Sequence, residues 1–368
     1  MAGMIRVSGC RNSDTPVGPA SAPACRPKDG IAYRATGKCR QGGHGGPPHW
    51  RFARFVWCSP LSRKRRGEPV HGWVAFDKPV GMTSTQAVAA VRRAANAEKA
   101  GHGGTLDPLA SGMLPIALGE ATKTVQWAMA GAKTYRMTIR WGEATATDDA
   151  EGEVTERSDQ RPDEAAIRAA LPNFTGEIMQ VPSTYSAILV DGRRAYDLAR
   201  AGETVELAAR PIRIDSFTLV DSPDADHSVF DVRCGKGAYM RSLGRDLAKA
   251  LGTFGHLVAL RRLSVGKFSV DHAISVDMLA EFGHIRRLSE HLLPIETALD
   301  DIPALALTEA EALRLRHGQC VRPLCPADRA SIDQLGNGSI VSVSSSGKLV
   351  ALAETDDGML RPVRVLNL

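Results

Sequence analysis

GHGGTLDPLASGMLPIALGEATK, residues 101–123, sets one carboxylate, Asp107, in a glycine-dense loop directly before a short apolar run. Gly101, Gly103 and Gly104 carry no Cβ, so the backbone there can reach φ > 0 and approach a ligand closely. Pro108 pushes Asp107 toward extended geometry, which presents its carboxylate outward. The run Met113 to Leu118 is apolar and of strand length, so the Asp107 loop is expected to lean on a buried strand. Asp-Pro and Gly-Gly are also ordinary turn punctuation, and alone they mark a solvent loop. Neither G-x-G-x-x-G nor G-x-x-x-x-G-K-[ST] is matched, so nothing here points to a dinucleotide or a nucleoside triphosphate.

The whole run resembles the nucleophile motif of the bacterial TruB family of tRNA pseudouridine-55 synthases, whose pattern is roughly GHxGTLDPxAxGxLxxxxGxATK. Further segments fit the same family in the same order. Asp77 to Ser84 (DKPVGMTS) resembles its KPxGxTS motif, and Lys133-Thr134-Tyr135 resembles the segment that supplies its active-site tyrosine. Gly237 to Leu243 (GAYMRSL) and Leu260 to Leu263 (LRRL) resemble the GxYxRxL and LRRxxxG elements. The resemblance spans about residues 70 to 300. One departure stands out: where the family reads S-A-x-K-x-x-G-x-R-x-Y, residues 186 to 196 place Leu189 at the lysine position, which removes one cation from a region expected near the substrate.

The resemblance implies an α+β pseudouridine synthase fold, with a mixed, mainly antiparallel central sheet flanked by helices and loops. It implies that Asp107 is the nucleophile, that Arg241 lies beside it and orients it, and that Tyr135 stacks on the target uracil and relays a proton. Tyr239 and Leu260 would line the same pocket, and His102 would contact the RNA or hold the flipped nucleotide. Lys78 and Lys123 read as structural or phosphate-adjacent. Read without the family, Tyr135 and Leu260 are core residues, Arg241 is a helix-face charge and His102 a surface residue. The implied substrate is the T stem-loop of tRNA, with no cofactor and no metal. Two other classes compete. A glycoside hydrolase needs a second acid across the scissile bond, which no matched segment supplies; a non-catalytic tRNA-binding chaperone would not need Asp107.

At 368 residues the chain suggests about two domains. Seven cysteines with no CxxC pair argue against a disulfide framework or a zinc ribbon, and His317, Cys320 and Cys325 are too loosely spaced to read as a metal site. No apolar run approaches the roughly 18 residues that span a bilayer, and no secretory h-region opens the chain, so the cytoplasm is the default expectation; a monomer is the separate default for oligomeric state. The net charge of +5 conceals a division: residues 1–66 hold 13 Lys and Arg against two acidic residues, while the remainder holds 33 against 39. Nucleic-acid binding must then come from local clusters: Arg92-Arg93, Arg193-Arg194 with Arg200, Lys236 with Arg241 and Arg245, and Arg261-Arg262.

Residues 1–66, rich in Gly, Pro and Arg without sustained periodicity, read as a disordered extension. It is expected to be translated sequence upstream of the true start, with an RNA-tethering basic tail or an Arg-rich transit peptide as alternatives. Residues 67–300 are expected to form the catalytic domain, and 301–368 a small β-rich module resembling a PUA-like RNA-binding domain. Within them the patterns predict a strand over 72–77, a helix over 84–97 capped by Thr83 or Ser84, a strand over 133–141 with Tyr135, Met137 and Ile139 on one face, and an acidic surface loop over 148–159. A helix over 162–171, a strand over 230–234, a helix over 240–251, a helix over 308–316 ended by Gly318, and terminal strands near 339–343 and 349–353 complete the reading.

Overall fold

β1 (Gly72–Lys78) and β3 (Ser111–Leu118) are nearly continuous apolar runs, and they pair antiparallel with Asp77 opposite Met113. Both faces of such strands must be covered. On one side α1 (Ser84–Ala94) seals them through Ala87 and Val91; on the other, Trp73 and Met113 enter a second apolar cluster. Between α1 and β3, the short β2 (Ala100–His102) pairs with β3. Thr83 starts α1 with a capping box, its side chain receiving Gln86 N–H while the Gln86 side chain receives Thr83 N–H. The helix ends three residues before the predicted Ala97, because Asn96 turns the chain out at φ 45°.

These coordinates come from a computed structural model that describes residues 67–186, 188–190, 192–282 and 288–368. The extension read over 1–66 lies outside the described residues. After α2 (Val125–Ala130), β4 (Lys133–Trp141) alternates as predicted, with Tyr135, Met137 and Ile139 buried. β5 (Glu143–Thr145) and β6 (Val154–Arg157) form a hairpin. The predicted surface loop over 148–159 is thus corrected: it contains a strand, and Asp149 within it is buried.

α3 (Glu164–Ala170), capped by Asp163, precedes β7 (Gly176–Gln180). A small hairpin of β8 (Leu189–Val190) and β9 (Arg193–Arg194) leads into α4 (Ala195–Arg200). β10 (Arg210–Asp224), β11 (His227–Cys234), α5 (Met240–Ala250), β12 (Gly255–Val265), β13 (Phe268–Ser269) and α6 (Val276–Glu281) follow. The nine-stranded sheet runs β1-β3-β12-β4-β11-β10-β7, with β2 on β3 and β13 on β12. Among the described strands of this sheet, only the junction of β12 with β3 is parallel, at Arg261 opposite Ser111 and Arg262 opposite Gly112, and this junction supports the Asp107 loop.

The C-terminal strands form a separate four-stranded sheet, β14 (Ala304–Ala306), β15 (Ile340–Ser345), β16 (Lys348–Asp356) and β17 (Met359–Val365). The helix Glu309–Arg316 begins at a second capping box, Thr308 with Glu311, and Gly318 follows it at φ 78°. Leu349, Leu352 and Leu366 pack into one cluster with Trp73, Met113 and Phe268 of the large sheet. Burying each such side chain is worth about 1.5–3 kcal/mol. Lys123 adds a polar tie: its Nζ pairs with Glu120 at 2.6 Å and donates to Val365 O at 2.7 Å, so its role here is structural.

Candidate active site

The Asp107 loop leaves β2 and enters β3 over a buried arginine. Arg262, 1% exposed, donates from Nε to Met113 O at 2.7 Å, from Nη2 to Gly104 O at 3.0 Å and from Nη1 to Thr105 O at 3.3 Å. Two glycines permit this approach. Gly104 has φ 119°, and a Cβ on Gly112, itself at φ 99°, would stand 2.2 Å from Arg262 O. Gly112→Ala is therefore expected to cost at least about 2 kcal/mol through strain and displaced backbone. Thermal unfolding would register this as a clear fall in Tm.

The KPVGMTS turn braces the loop from outside. Gly81 N–H donates to Pro108 O at 2.8 Å. Lys78 reaches back with Nζ to Pro79 O at 2.9 Å and Met82 O at 2.7 Å. Burial lowers the Lys78 pKa to about 8, with the Asp107 carboxylate acting in the opposite sense. Lys78 is therefore an internal clamp and not a phosphate contact.

Asp107 Oδ2 lies 3.0 Å from Arg241 Nη2. Arg241 stands in the first turn of α5 with only 6% of its side chain exposed, against 41% for Asp107. Its guanidinium also approaches Asp149 Oδ2 at 3.4 Å and donates to Thr147 O at 3.0 Å and Tyr185 O at 2.9 Å. The planar fork thus joins two carboxylates and two carbonyls, which a single ammonium could not do. Asp149 is held in turn by the Thr147 hydroxyl and by Glu151 N–H at 3.1 Å. Sequence reasoning missed Asp149, since nothing in the run Asp148-Asp149-Ala150-Glu151 separates one carboxylate from its neighbours.

A cavity of about 300 Å³ opens at Asp107, walled by Tyr135, Tyr239, Leu260, Lys133 and Arg241. This size falls at the lower end for small-ligand sites. Burial raises the Tyr135 pKa, with the Arg262 charge opposing, so the ring enters the pocket as a neutral phenol. Tyr239 packs its ring beneath the Arg210 guanidinium, 5.1 Å from the ring centroid. Gln180 locks the Tyr239 backbone, accepting its N–H at 2.9 Å and donating to its carbonyl at 3.1 Å. Lys133 Nζ donates to Met129 O and Gly131 O, both at 2.7 Å, and desolvation lowers its pKa to about 8. A second chamber of about 590 Å³ shares Asp107 and Arg241 and is otherwise lined by groups that include Asp149, Tyr185 and Tyr196.

Five of the six residues named from sequence, Asp107, Tyr135, Arg241, Tyr239 and Leu260, therefore meet at one cavity. His102 does not line it; the ring is half-buried on β2, its Nδ1 has no hydrogen-bond partner among the described residues, and burial followed by the Arg262 charge lowers its pKa. The basic clusters divide likewise. Arg245 pairs with Asp148 and Asp246 and Arg262 is buried, so these two are consumed internally, whereas Arg261 forks onto Asp77 at 3.0 and 2.7 Å with 40% of its side chain still exposed. Leu189 sits on β8 with 64% exposure.

Sequence comparison bears on this arrangement directly. The pattern of the TruB family pseudouridylate synthase N-terminal domain matches residues 92–240, and that of the tRNA pseudouridylate synthase B C-terminal domain matches residues 241–300. The tRNA pseudouridine synthase B of Rhodospirillum rubrum is 58% identical over 308 residues, covering 84% of this chain and 100% of that protein. The chain belongs to the TruB family of pseudouridylate synthases. This TruB protein is accordingly an enzyme, an isomerase. Its similarity extends to tRNA pseudouridine synthase B of Bradyrhizobium diazoefficiens, 53% identical over 83% of this chain and 88% of that protein.

Among solved structures, a Cbf5-Nop10-Gar1 complex superposes with TM-score 0.61 at 24% identity, covering 80% of this chain and 84% of that one. An archaeal box H/ACA sRNP Nop10-Cbf5 complex gives TM-score 0.60 at 23% identity, covering 83% and 92%. These likenesses, with the mixed nine-stranded sheet, bear out the α+β pseudouridine synthase fold.

Proposed function

We propose that this TruB enzyme isomerises the uridine at position 55, in the T loop of tRNA, to pseudouridine, with Asp107 as nucleophile. The observation that carries the reading is the Asp107 carboxylate, paired with Arg241 at 3.0 Å on the wall of a cavity that also holds Tyr135 and Leu260. The names of the relatives, tRNA pseudouridine synthase B, support tRNA as the substrate. The reaction breaks the bond from uracil N1 to ribose C1′, turns the base and forms a bond from C5 to C1′. The C5 proton leaves and N1 ends protonated, so the product is an isomer of the substrate and no redox partner or metal is required.

A carboxylate suits these steps because it can attack covalently or stabilise a developing oxocarbenium charge. Arg241 fixes the direction of that attack through a charge-assisted hydrogen bond. Tyr135, a buried neutral ring, stacks on the extruded uracil, and Leu260 and Tyr239 wall the pocket. Extruding the base from a structured loop costs on the order of a few kcal/mol, which contacts around the T arm must offset. Residues 301–368 are taken as an RNA-binding module that adds such contacts, and His102 as a contact to the loop beyond the cavity.

The decisive experiment maps pseudouridine with carbodiimide on an unmodified tRNA transcript incubated with the enzyme. An adduct at position 55, read as a reverse-transcription stop one nucleotide to its 3′ side, is expected; modification at another position, or none, overturns the assignment. Leu189 allows a milder test. Because it is exposed, Leu189→Lys is expected to leave stability within about 0.5 kcal/mol and to strengthen tRNA binding a few-fold. The salt dependence of log K should steepen by roughly one counterion. Filter binding across a salt series measures both.

A further inference from the structure

We propose that Ser84 is a positioning residue for the reaction: its hydroxyl sets the backbone of Leu106 and thereby the aim of the Asp107 carboxylate. This rests on the assignment of Asp107 as nucleophile. Ser84 is the first residue of α1 and is buried. Its Oγ donates to Leu106 O at 3.0 Å and accepts Leu106 N–H at 2.9 Å. A hydroxyl carries one proton and two lone pairs, so both bonds form at once.

The geometry gives this pair of bonds its leverage. The Leu106 N–H lies in the peptide plane before its Cα, and the Leu106 carbonyl in the plane after it, which also carries Asp107 N–H. One oxygen atom therefore restrains both dihedrals of the residue next to the nucleophile. Leu106 is itself buried in the main apolar cluster, so its backbone groups need a protein partner. The anchors on either side have other sources. Arg262 holds the carbonyls of Gly104 and Thr105, while Asp107 O accepts from Ala110 N–H at 3.1 Å and Pro108 O from Gly81 N–H. Ser84 fills the one interval between them.

The anchor is rigid as well. The capping box of Thr83 and Gln86 fixes the first turn of α1, and Ala87 and Val91 bury its face. Asp107, by contrast, exposes 41% of its side chain and meets Arg241 at its tip. The carboxylate is thus held at its tip by Arg241 and at its base by the loop backbone, and its aim needs both. A misplacement of about 1 Å from a site remote from the chemistry can cost 10²-fold in rate.

Single-turnover pseudouridine formation on a tRNA transcript, measured beside tRNA affinity and thermal unfolding, tests the proposal. Ser84→Ala is expected to lower the rate constant about 10- to 100-fold with affinity changed less than about threefold. A purely structural role would reduce the folded fraction and leave the rate constant of the folded enzyme unchanged, and that result overturns the proposal. Rate and affinity falling in proportion overturns it too. Should Ser84→Ala not fold, Ser84→Cys serves instead, because a thiol fills the space but bonds weakly. A rate at least tenfold down supports the role, and an unchanged rate refutes it. Wild-type enzyme that forms no pseudouridine removes the functional reading and this proposal with it; wild-type activity beside an unimpaired Ser84 variant removes the proposal alone.

Discussion

Asp107→Asn is expected to lower pseudouridine formation by on the order of 10⁴-fold or more while tRNA binding stays within a few-fold of wild type. The two side chains share a shape, so the change removes nucleophilicity and charge and little else. The loop does not depend on the carboxylate for its form, since Arg262 and the KPVGMTS turn hold it through backbone carbonyls. Arg241 keeps Asp149 and two carbonyls as partners, so no buried cation is stranded. Because Asp107 is 41% exposed, the loss of stability should stay near that of a surface ion pair, at most about 1 kcal/mol. Single-turnover kinetics with filter binding and thermal unfolding would register all three effects. A residual rate within tenfold of wild type would move the nucleophile elsewhere.

Arg241→Lys should combine a catalytic and a structural defect. Lysine keeps the charge but offers a point donor where the guanidinium meets two carboxylates and two carbonyls. The rate is expected to fall about 10²- to 10³-fold, in the range of a lost electrostatic or orienting contact. Stability should fall by roughly 3 kcal/mol, because the buried Asp149 loses a well-placed counter-charge and two carbonyls lose donors. Urea unfolding and single-turnover rates measure the two parts separately. Near-native stability and rate together would mean that Arg241 acts only as a charge and that its fork geometry is dispensable.

What was legible in the sequence follows from covalent and local constraints. β4 showed its period of two, α1 its capping residue, the helix over 308–316 its terminating Gly318, and β3 its apolar run from Met113 to Leu118. The motif around Asp107 pointed to the family, and five of the six residues named with it converge on one cavity. The failures share another origin. Asp149 looked like any acid in a polar run, and Arg262 like half of a basic pair.

The chain by itself thus determined the elements, their caps and the chemistry available at Asp107, because propensity, pattern and residue type act over a few neighbouring residues. The tertiary structure alone decided which charges are buried and which are free. Arg262 becomes a strut only because β12 meets β3 in parallel at Gly112, and Arg241 gains its second carboxylate only because the loop after β5 brings Asp149 beneath it. A charge taken from water must be paired where it lies, and its partners come from distant segments that only the fold brings together.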